Sequence, residues 1–192
     1  MFIQTEQTPN PQTLKFLPGK VVMDEGTAFF QNKDKISNSP LAKRLFNVGG
    51  VTGVFFGSDF ITITKNDSLD WQVMKPPILG AIMDHFNSEE PTINNETNDE
   101  RKKSLLENSN DSDNDSDIVK QIKELLETRV RPAVAMDGGD IIYDSYKDGI
   151  VYLHMQGACS GCPSSTATLK MGIENMLKHY VPEVKEVRPI DV

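Results

Sequence analysis

Cys159 and Cys162 are the only cysteines in this chain of 192 residues, and their types and spacing are the best suited to chemistry. Two thiols three positions apart can reach one metal centre or form a reversible disulfide. A zinc ion or an iron–sulfur cluster usually takes four protein ligands, of which this pair supplies two. A metal site at these cysteines therefore predicts that a second chain supplies the other two.

Four uses of the cysteine pair are compatible with its spacing. The pair could hold an iron–sulfur cluster shared by two chains, hold zinc in the same way, act as a thioredoxin-like dithiol–disulfide oxidoreductase, or form a structural disulfide. A reducing compartment disfavours the structural disulfide. The position of the pair, after a predicted helix and hairpin, disfavours a thioredoxin-like scaffold, but spacing alone leaves all four open.

The residues around the pair predict a loop between a strand and a helix. Pro163 is expected at the first helical position, and a helix N-terminus carries about half a positive charge, so we expect the thiolate form of both cysteines to be favoured. Gly161 allows the chain to bend between the two cysteines. Nearby hydroxyl groups are either donors to sulfur or ordinary helix caps, and they belong to Ser160, Ser164, Ser165 and Thr166.

Residues 117–192 are predicted to form a small domain in the order α-β-β-α-β. Apolar residues recur at helical spacing from Ile118 to Val130, and Pro132 is expected to end or kink that helix. A hairpin is predicted from strands at 141–146 and 150–156, and a last short strand at 184–187. The helices are expected on one face of a mixed sheet.

Residues 1–87 show strand and helix signals in alternation. The pattern at 13–17 predicts a strand, and the apolar runs 54–56 and 60–64 predict a hairpin. Ser39 followed by Pro40 predicts the start of a helix, and a last helix is expected to begin at Pro77. The chain is therefore assigned to the α+β class, with two small mixed domains joined by a linker.

Residues 88–116 are predicted to be a disordered acidic linker, because apolar periodicity disappears there. From residue 88 to 117 there are ten acidic and three basic side chains, which accounts for nearly all of the net charge of −8. The rest of the chain is close to neutral, which disfavours nucleic acid as a partner. No apolar run is long enough for a membrane span, and the first residues have no signal- or transit-peptide pattern, so a cytoplasmic location is expected.

Two sets of motifs resemble the Nfu family. The segments 131–140 (RPAVAMDGGD) and 157–166 (GACSGCPSST) closely resemble the NifU-like C-terminal domain of Nfu proteins. The segments 8–16 (TPNPQTLKF), 39–42 (SPLA) and 59–65 (DFITITK) resemble the Nfu N-terminal domain. The motifs occur in the family's order and fall in both predicted domains, 1–87 and 117–192.

The resemblance implies an iron–sulfur scaffold or carrier without enzymatic turnover. Cys159 and Cys162 are then the ligands of a labile cluster, expected to be [4Fe-4S], which is shared between two chains of a homodimer. The implied partners are upstream cluster donors and apo iron–sulfur client proteins. The thioredoxin-like oxidoreductase is kept as the alternative.

A few other residues could take part in chemistry, and each has a simpler interpretation. The three histidines, His85, His154 and His179, are interpreted as surface residues rather than metal ligands. Asp137 and Asp140 flank two glycines and are interpreted as turn residues rather than an acid–base pair. Trp71 is expected to pack the first domain, with a client-binding surface as the alternative.

Overall fold

The computed structural model describes residues 2–31, 36–94, 117–161 and 163–190, and of residues 163–165 only the main chain. Cys162 and residues 95–116 of the predicted linker lie outside the described residues. The described residues form two domains that mix helices and strands, so the predicted α+β class is confirmed. None of the helices described is both long enough and apolar enough to cross a membrane.

The first domain is a five-stranded antiparallel sheet with two helices. Its strands are β1 (Gln4–Gln7), β2 (Thr13–Leu17), β3 (Ala28–Phe30), β4 (Val51–Phe56) and β5 (Ile61–Lys65), arranged in the order β1-β2-β5-β4-β3. Its helices are α1 (Pro40–Phe46) and α2 (Trp71–Asn87). The predicted strand at 13–17, the hairpin and the helix beginning at Pro40 are all confirmed.

The two faces of this sheet are buried against different parts of the chain. One face packs with α1 and α2 in an apolar core that includes Leu14, Phe16, Phe30, Leu41, Leu45, Val54, Phe56, Ile61, Ile63, Ile78 and Ile82. The opposite face, called the back face below, carries Lys15, Phe55 and Thr62, which lie opposite one another on adjacent strands. These three side chains are also buried. Because buried polar groups are normally hydrogen-bonded, the back face must meet a polar partner.

Ser39 both caps α1 and fixes the segment that follows α2. Its hydroxyl oxygen accepts a hydrogen bond from the main-chain N–H of Ala42 at 3.0 Å. The same hydroxyl donates to the carbonyl of Thr92 at 2.6 Å, and Ile93 is buried in the first core. Residues 88–94, which the sequence prediction assigns to the linker, therefore lie against the first domain.

Helix α2 begins at Trp71, so the predicted start at Pro77 is wrong. Pro76 and Pro77 lie inside the helix, where a proline removes a main-chain hydrogen bond and costs about 3 kcal/mol or more. The turn before the prolines is nevertheless helical because Met74 is fully buried in the core, against Gly50. Burial of an apolar side chain here outweighs the local preference of proline.

The second domain has a three-stranded mixed sheet. Its elements are α3 (Asp117–Leu125), a π-helical turn (Leu126–Val130), α4 (Arg131–Met136), β6 (Gly139–Lys147), β7 (Ile150–Gly157), α5 (Pro163–Tyr180) and β8 (Glu186–Ile190). Strand β7 lies in the centre, antiparallel to β6 and parallel to β8. The predicted order and hairpin are confirmed, although the last strand begins at Glu186 rather than at residue 184.

The first helical segment of this domain is interrupted next to Pro132, as the sequence predicted. Proline cannot donate the next hydrogen bond of the helix, and the π-helical turn lies immediately before it. Both sides of the interruption still face one core, which includes Ile122, Leu126, Val130, Val134, Ile141, Val151, Leu153, Ile173 and Leu177. The interruption redirects the chain so that α4 ends beside the start of β6.

Replacing Ser39 should weaken the first domain and release residues 88–94. Ser39→Ala removes both the helix cap and the bond to Thr92, and we expect the free energy of unfolding to fall by about 1–2 kcal/mol. Urea unfolding followed by circular dichroism measures this change. Ser37→Ala is the matched control, because Ser37 is exposed and bonds only to its neighbour Asn38. Equal stability of the two variants would contradict the prediction.

Candidate functional site

Cys159 lies in a tight loop between the end of β7 and the start of α5, as the sequence predicted. We call residues 157–161 the ligand loop. Gly157 and Gly161 have positive φ angles of +63° and +84°, and the N–H of Ser160 donates to the carbonyl of Gly157 at 3.2 Å. The N–H of Ala158 donates to the carbonyl of Gly138 at 3.1 Å, which joins the ligand loop to the turn before β6. Residues 136–140 run from the end of α4 through the turn at Asp137 and Gly138 to the start of β6, and they are called the glycine turn below.

The thiol of Cys159 is free and only 5% of the residue is exposed. It packs directly over Gly139, where an added Cβ would come within 2.4 Å of Sγ. The thiol borders a cleft of about 190 Å³ that is also lined by Met155, Thr166 and, from the first domain, Gln31. Cys159 is therefore packed in the core of the second domain, with Gln31 of the first domain on one side of its cleft, rather than displayed on the surface.

Burial raises the pKa of the Cys159 thiol to about 12, and the carboxylates of Asp137 and Asp140 act in the same direction. The expectation that the helix N-terminus favours the thiolate is therefore wrong for Cys159 in this structure. Removing the sulfur from water penalises its charged form, and two nearby negative charges add repulsion. In this conformation the ligand carries a proton.

The hydroxyl groups near Cys159 bond to carbonyl groups, not to sulfur. Ser160 donates to the carbonyl of Gly157 at 2.9 Å, and Thr166 donates to the carbonyl of Cys159 at 3.2 Å. They shape the loop and tie it to the first turns of α5. The side chains of Ser164 and Ser165 lie outside the described residues.

The second expected ligand, Cys162, lies outside the described residues, so its role stays a prediction. In the part of the chain that the structure describes, no group of three or more His, Cys, Asp or Glu side chains is arranged to hold a metal ion.

Asp140 and Arg131 are structural residues of the site that the sequence analysis did not identify as a pair. Arg131 donates from Nε and Nη2 to the two carboxylate oxygens of Asp140, both at 2.8 Å, and the N–H of Ile141 also donates to this carboxylate at 2.8 Å. Asp140 is buried, and its hydrogen bond raises the pKa of Arg131 above the ordinary value of an arginine. Asp137 lies in the turn as interpreted, whereas Asp140 lies in β6, paired with Gln156, and its bonds anchor the turn from the adjoining strand. Arg131 and Asp140 both lie in the segment 131–140 that resembles the NifU-like domain, and this is the sequence feature that could have identified them as a pair.

The first domain covers the glycine turn and the ligand loop with its back face. Thr62 donates to the carbonyl of Gly138 at 2.7 Å, and Lys15 donates to the carbonyl of Met136 at 3.1 Å. At the edge of the sheet, the side-chain amide of Asn10 donates to the carbonyl of Ser160 at 3.1 Å. These contacts explain why polar side chains of the back face are buried.

The histidines do not gather at this site. His85 is buried, so its interpretation as a surface residue is wrong; burial and then the charge of Arg44 lower its pKa. His179 is exposed on α5, and half-buried His154 lies 3.2 Å from Asp144. Trp71 packs against the first core and donates to the carbonyl of Pro11 at 3.1 Å, which confirms its expected structural place.

The sequence is closely similar to known proteins over nearly its whole length. It is 50% identical over 191 residues to the NFU1 iron-sulfur cluster scaffold homolog of Homo sapiens, covering 99% of this chain and 72% of that protein. The chain belongs to the Nfu family. Residues 3–89 match the family described as scaffold protein Nfu/NifU N terminal, and residues 122–188 match the NifU-like domain. The resemblance seen in the motifs is thereby confirmed.

Two further similar proteins match the chain to different extents. NifU-like protein 4 of Arabidopsis thaliana is 53% identical over 189 residues, and the chain spans 65% of the length of that relative. A solved NifU-like protein from Saccharomyces cerevisiae is 29% identical, with a TM-score of 0.45 over 50% of this chain and 86% of its own. The family is one of scaffold proteins, so the prediction that the chain is not an enzyme is confirmed, and the thioredoxin-like alternative gains no support.

The expected cytoplasmic location is wrong. The Nfu relatives from both Arabidopsis thaliana and Homo sapiens are named as mitochondrial proteins. The prediction rested on the absence of a targeting pattern in the first residues, and that absence is not informative where the relatives are longer than the chain.

Removing the charge of Asp140 should destabilise the second domain. Asp140→Asn leaves the half-buried guanidinium of Arg131 without its main partner, and we expect the free energy of unfolding to fall by about 2–3 kcal/mol. The control is Glu127→Gln, which removes the exposed partner of the same arginine and should cost less than about 0.5 kcal/mol. Urea unfolding monitored by circular dichroism compares the two variants. Similar decreases in the free energy of unfolding would show that the buried ion pair contributes no more to stability than the exposed one.

Removing the charge of Asp137 should make Cys159 more reactive. The pKa of about 12 lies above pH 8, so the thiolate fraction at pH 8 is small and rises as the pKa falls. In a Cys162→Ser background, Asp137→Asn should lower the pKa and speed alkylation at pH 8 by about two- to fivefold.

The matched control for this variant is Asp144→Asn, which removes a partly exposed carboxylate further along β6. Its alkylation rate should equal that of the parent. The rates are measured with N-ethylmaleimide and mass spectrometry. An unchanged rate in Asp137→Asn would mean that this carboxylate does not influence the thiol.

Proposed function

We propose that this chain is an iron–sulfur cluster scaffold and carrier, with Cys159 and Cys162 as the cluster ligands. The observation that carries the proposal is the free thiol of Cys159 in the ligand loop, immediately before α5, in a chain about half identical to a protein named as an iron-sulfur cluster scaffold. The loop geometry supports this role, because glycines on both sides of Cys159 let the main chain turn sharply around the ligand.

Ligand number favours a cluster shared between two chains. A [4Fe-4S] cluster takes four thiolates, and one chain has only two cysteines. Two copies of the chain supply the full set, so the loaded protein is proposed to be a homodimer with one [4Fe-4S] cluster at its interface. Such a cluster lies where two chains meet, and it becomes accessible when they separate.

Transfer is proposed to occur by ligand exchange. A thiol of the recipient forms a bond to iron as the bond from iron to Cys159 breaks, and the proton of the incoming thiol passes to the departing thiolate. No electron is gained or lost in this step.

The partners and location follow from the proposed role. Upstream cluster donors would load the chain, and apo iron–sulfur proteins would receive the cluster. The mitochondrial names of the relatives support a mitochondrial location. The division at residues 1–87, 88–116 and 117–192 is kept as a proposal, except that residues 88–94 lie against the first domain. The rest of the acidic segment is proposed as the tether between an Nfu N-terminal-like domain and a NifU-like domain that carries the ligands.

Anaerobic reconstitution with iron and sulfide tests the function directly. The wild-type chain should become brown, absorb near 400 nm and sediment as a dimer with about four iron atoms per two chains. Cys159→Ala and Cys162→Ala should each lose the colour and the dimer. Ser160→Ala is the matched control, since it changes a neighbouring side chain that bonds within the loop and leaves both sulfurs in place.

Incubation of the reconstituted protein with an apo [4Fe-4S] protein measures transfer. The recipient should gain its cluster faster than it does from free iron and sulfide. A colourless monomer after reconstitution would overturn the proposal, as would a cluster that survives the loss of either cysteine.

A further inference from the structure

The structure assigns a second role to the first domain: its back face is the docking surface for the chain's own ligand loop and glycine turn, and this docked state must open before a cluster can be loaded. The consequence for loading rests on the proposed function, whereas the docked state itself does not. The partner of this surface is thus part of the same chain: the glycine turn and the ligand loop, which lie at the two ends of the segment from Met136 to Ser160.

The back face is built to receive a polar main-chain partner. Lys15 and Thr62 are 8% and 1% exposed, values that such side chains reach only when they are paired. Their donors meet two carbonyl groups of the second domain that lie two residues apart, those of Met136 and Gly138. On a solvent-exposed sheet face these donors would bond to water, whereas here each donates to a carbonyl oxygen of the glycine turn.

Two further hydrogen bonds surround this contact. Asn10, which is fully buried, donates to the carbonyl of Ser160 on the ligand loop. Thr27 donates to the carboxylate of Asp140 at 2.9 Å. Among the buried side-chain nitrogen and oxygen atoms in the described ranges, only Nδ1 of His85 and of His154 has no hydrogen-bond partner. The docked surface is therefore fully satisfied, as expected for a specific interface.

Glycines of the second domain allow the close approach. An added Cβ at Gly138 would lie 2.7 Å from the hydroxyl of Thr62, and one at Gly157 would lie 2.9 Å from the ring of Phe55. Both glycines also have positive φ angles. Glycine is thus favoured at these positions by the conformation of the loop and also by the surface that covers it.

Docking and loading are mutually exclusive on geometric grounds. Cys159 is 5% exposed, packed in the core of the second domain, and the first domain adds Gln31 as one wall of its cleft of about 190 Å³ and holds the neighbouring Ser160 through Asn10. Loading requires the ligand loop to meet the ligand loop of a second chain, since four thiolates are needed. A second domain of this size cannot reach Cys159 while the back face covers the loop. Loading therefore selects an open state in which the first domain has moved away.

The test measures the exposure of Cys159 without any cluster. In the full chain with Cys162→Ser, Cys159 is the only thiol, and its alkylation by N-ethylmaleimide is followed by mass spectrometry. The same protein in denaturant gives the rate for a fully exposed thiol. We expect the native chain to react at least about tenfold more slowly than the denatured one, because reaction requires opening.

Thr62→Arg places a long charged side chain where Thr62 now touches Gly138, and it should force the domains apart. We expect it to speed alkylation by about tenfold or more, as an overpacked contact would. Thr52→Arg is the matched control, because Thr52 is an exposed threonine on β4 of the same sheet. It should leave the alkylation rate unchanged.

Lys15→Met is a milder second variant, in case Thr62→Arg fails to fold. It keeps a long side chain and removes the bond to the carbonyl of Met136, together with the ion pair of Lys15 to Glu6 and its contact with the Phe60 ring, which both lie within the first domain. We expect about fivefold faster alkylation. Circular dichroism and urea unfolding establish that each variant is folded. Unchanged alkylation in the folded back-face variants, or a native rate equal to that in denaturant, would overturn the docked state.

Cluster loading is then compared among the same substitutions with both cysteines present. Faster loading of Thr62→Arg and Lys15→Met than of wild type and Thr52→Arg supports the requirement for opening, and equal loading rates overturn it. If wild type binds no cluster at all while alkylation shows protection, the proposed function fails and the docked state stands. The two failures are therefore distinguishable.

Discussion

The buried carboxylate of Asp140 is the interaction on which the site depends. A charge in a protein interior is tolerated only when it is paired and hydrogen-bonded. Asp140 meets this requirement with donors from three places: the guanidinium of Arg131, the N–H of Ile141 and the hydroxyl of Thr27. These bonds fix the end of the interrupted helix, the start of β6 and the contact with the first domain. The position of the glycine turn, and of Cys159 packed on it, follows from them.

The same carboxylate influences the ligand. Asp140 and Asp137 add to the effect of burial in keeping a proton on Cys159. The carboxylate that organises the glycine turn therefore also favours the neutral thiol of Cys159.

Much of the fold could be predicted from local patterns. The hairpin of the second domain, the cap at Ser39 and the place of the cysteine loop between β7 and α5 each have a short-range signal in turn residues, capping residues or hydrophobic periodicity. The start of α2 could not, because burial of Met74 outweighs the preference of two prolines, and that burial depends on residues distant in sequence. The environment of Cys159 was mispredicted for the same reason. The helix end beside it is visible in the sequence, but the domain that covers it is not.

The contact between Thr62 and Gly138 links residues that belong to two separately recognised sequence families. The residues tolerated at either position therefore depend on the side chain at the other position. A β-branched or larger side chain at the position of Gly138 would be eliminated both by its backbone angle of +84° and by the threonine opposite it. In a protein that contains only the second domain, the backbone angle alone would disfavour a larger side chain at this position.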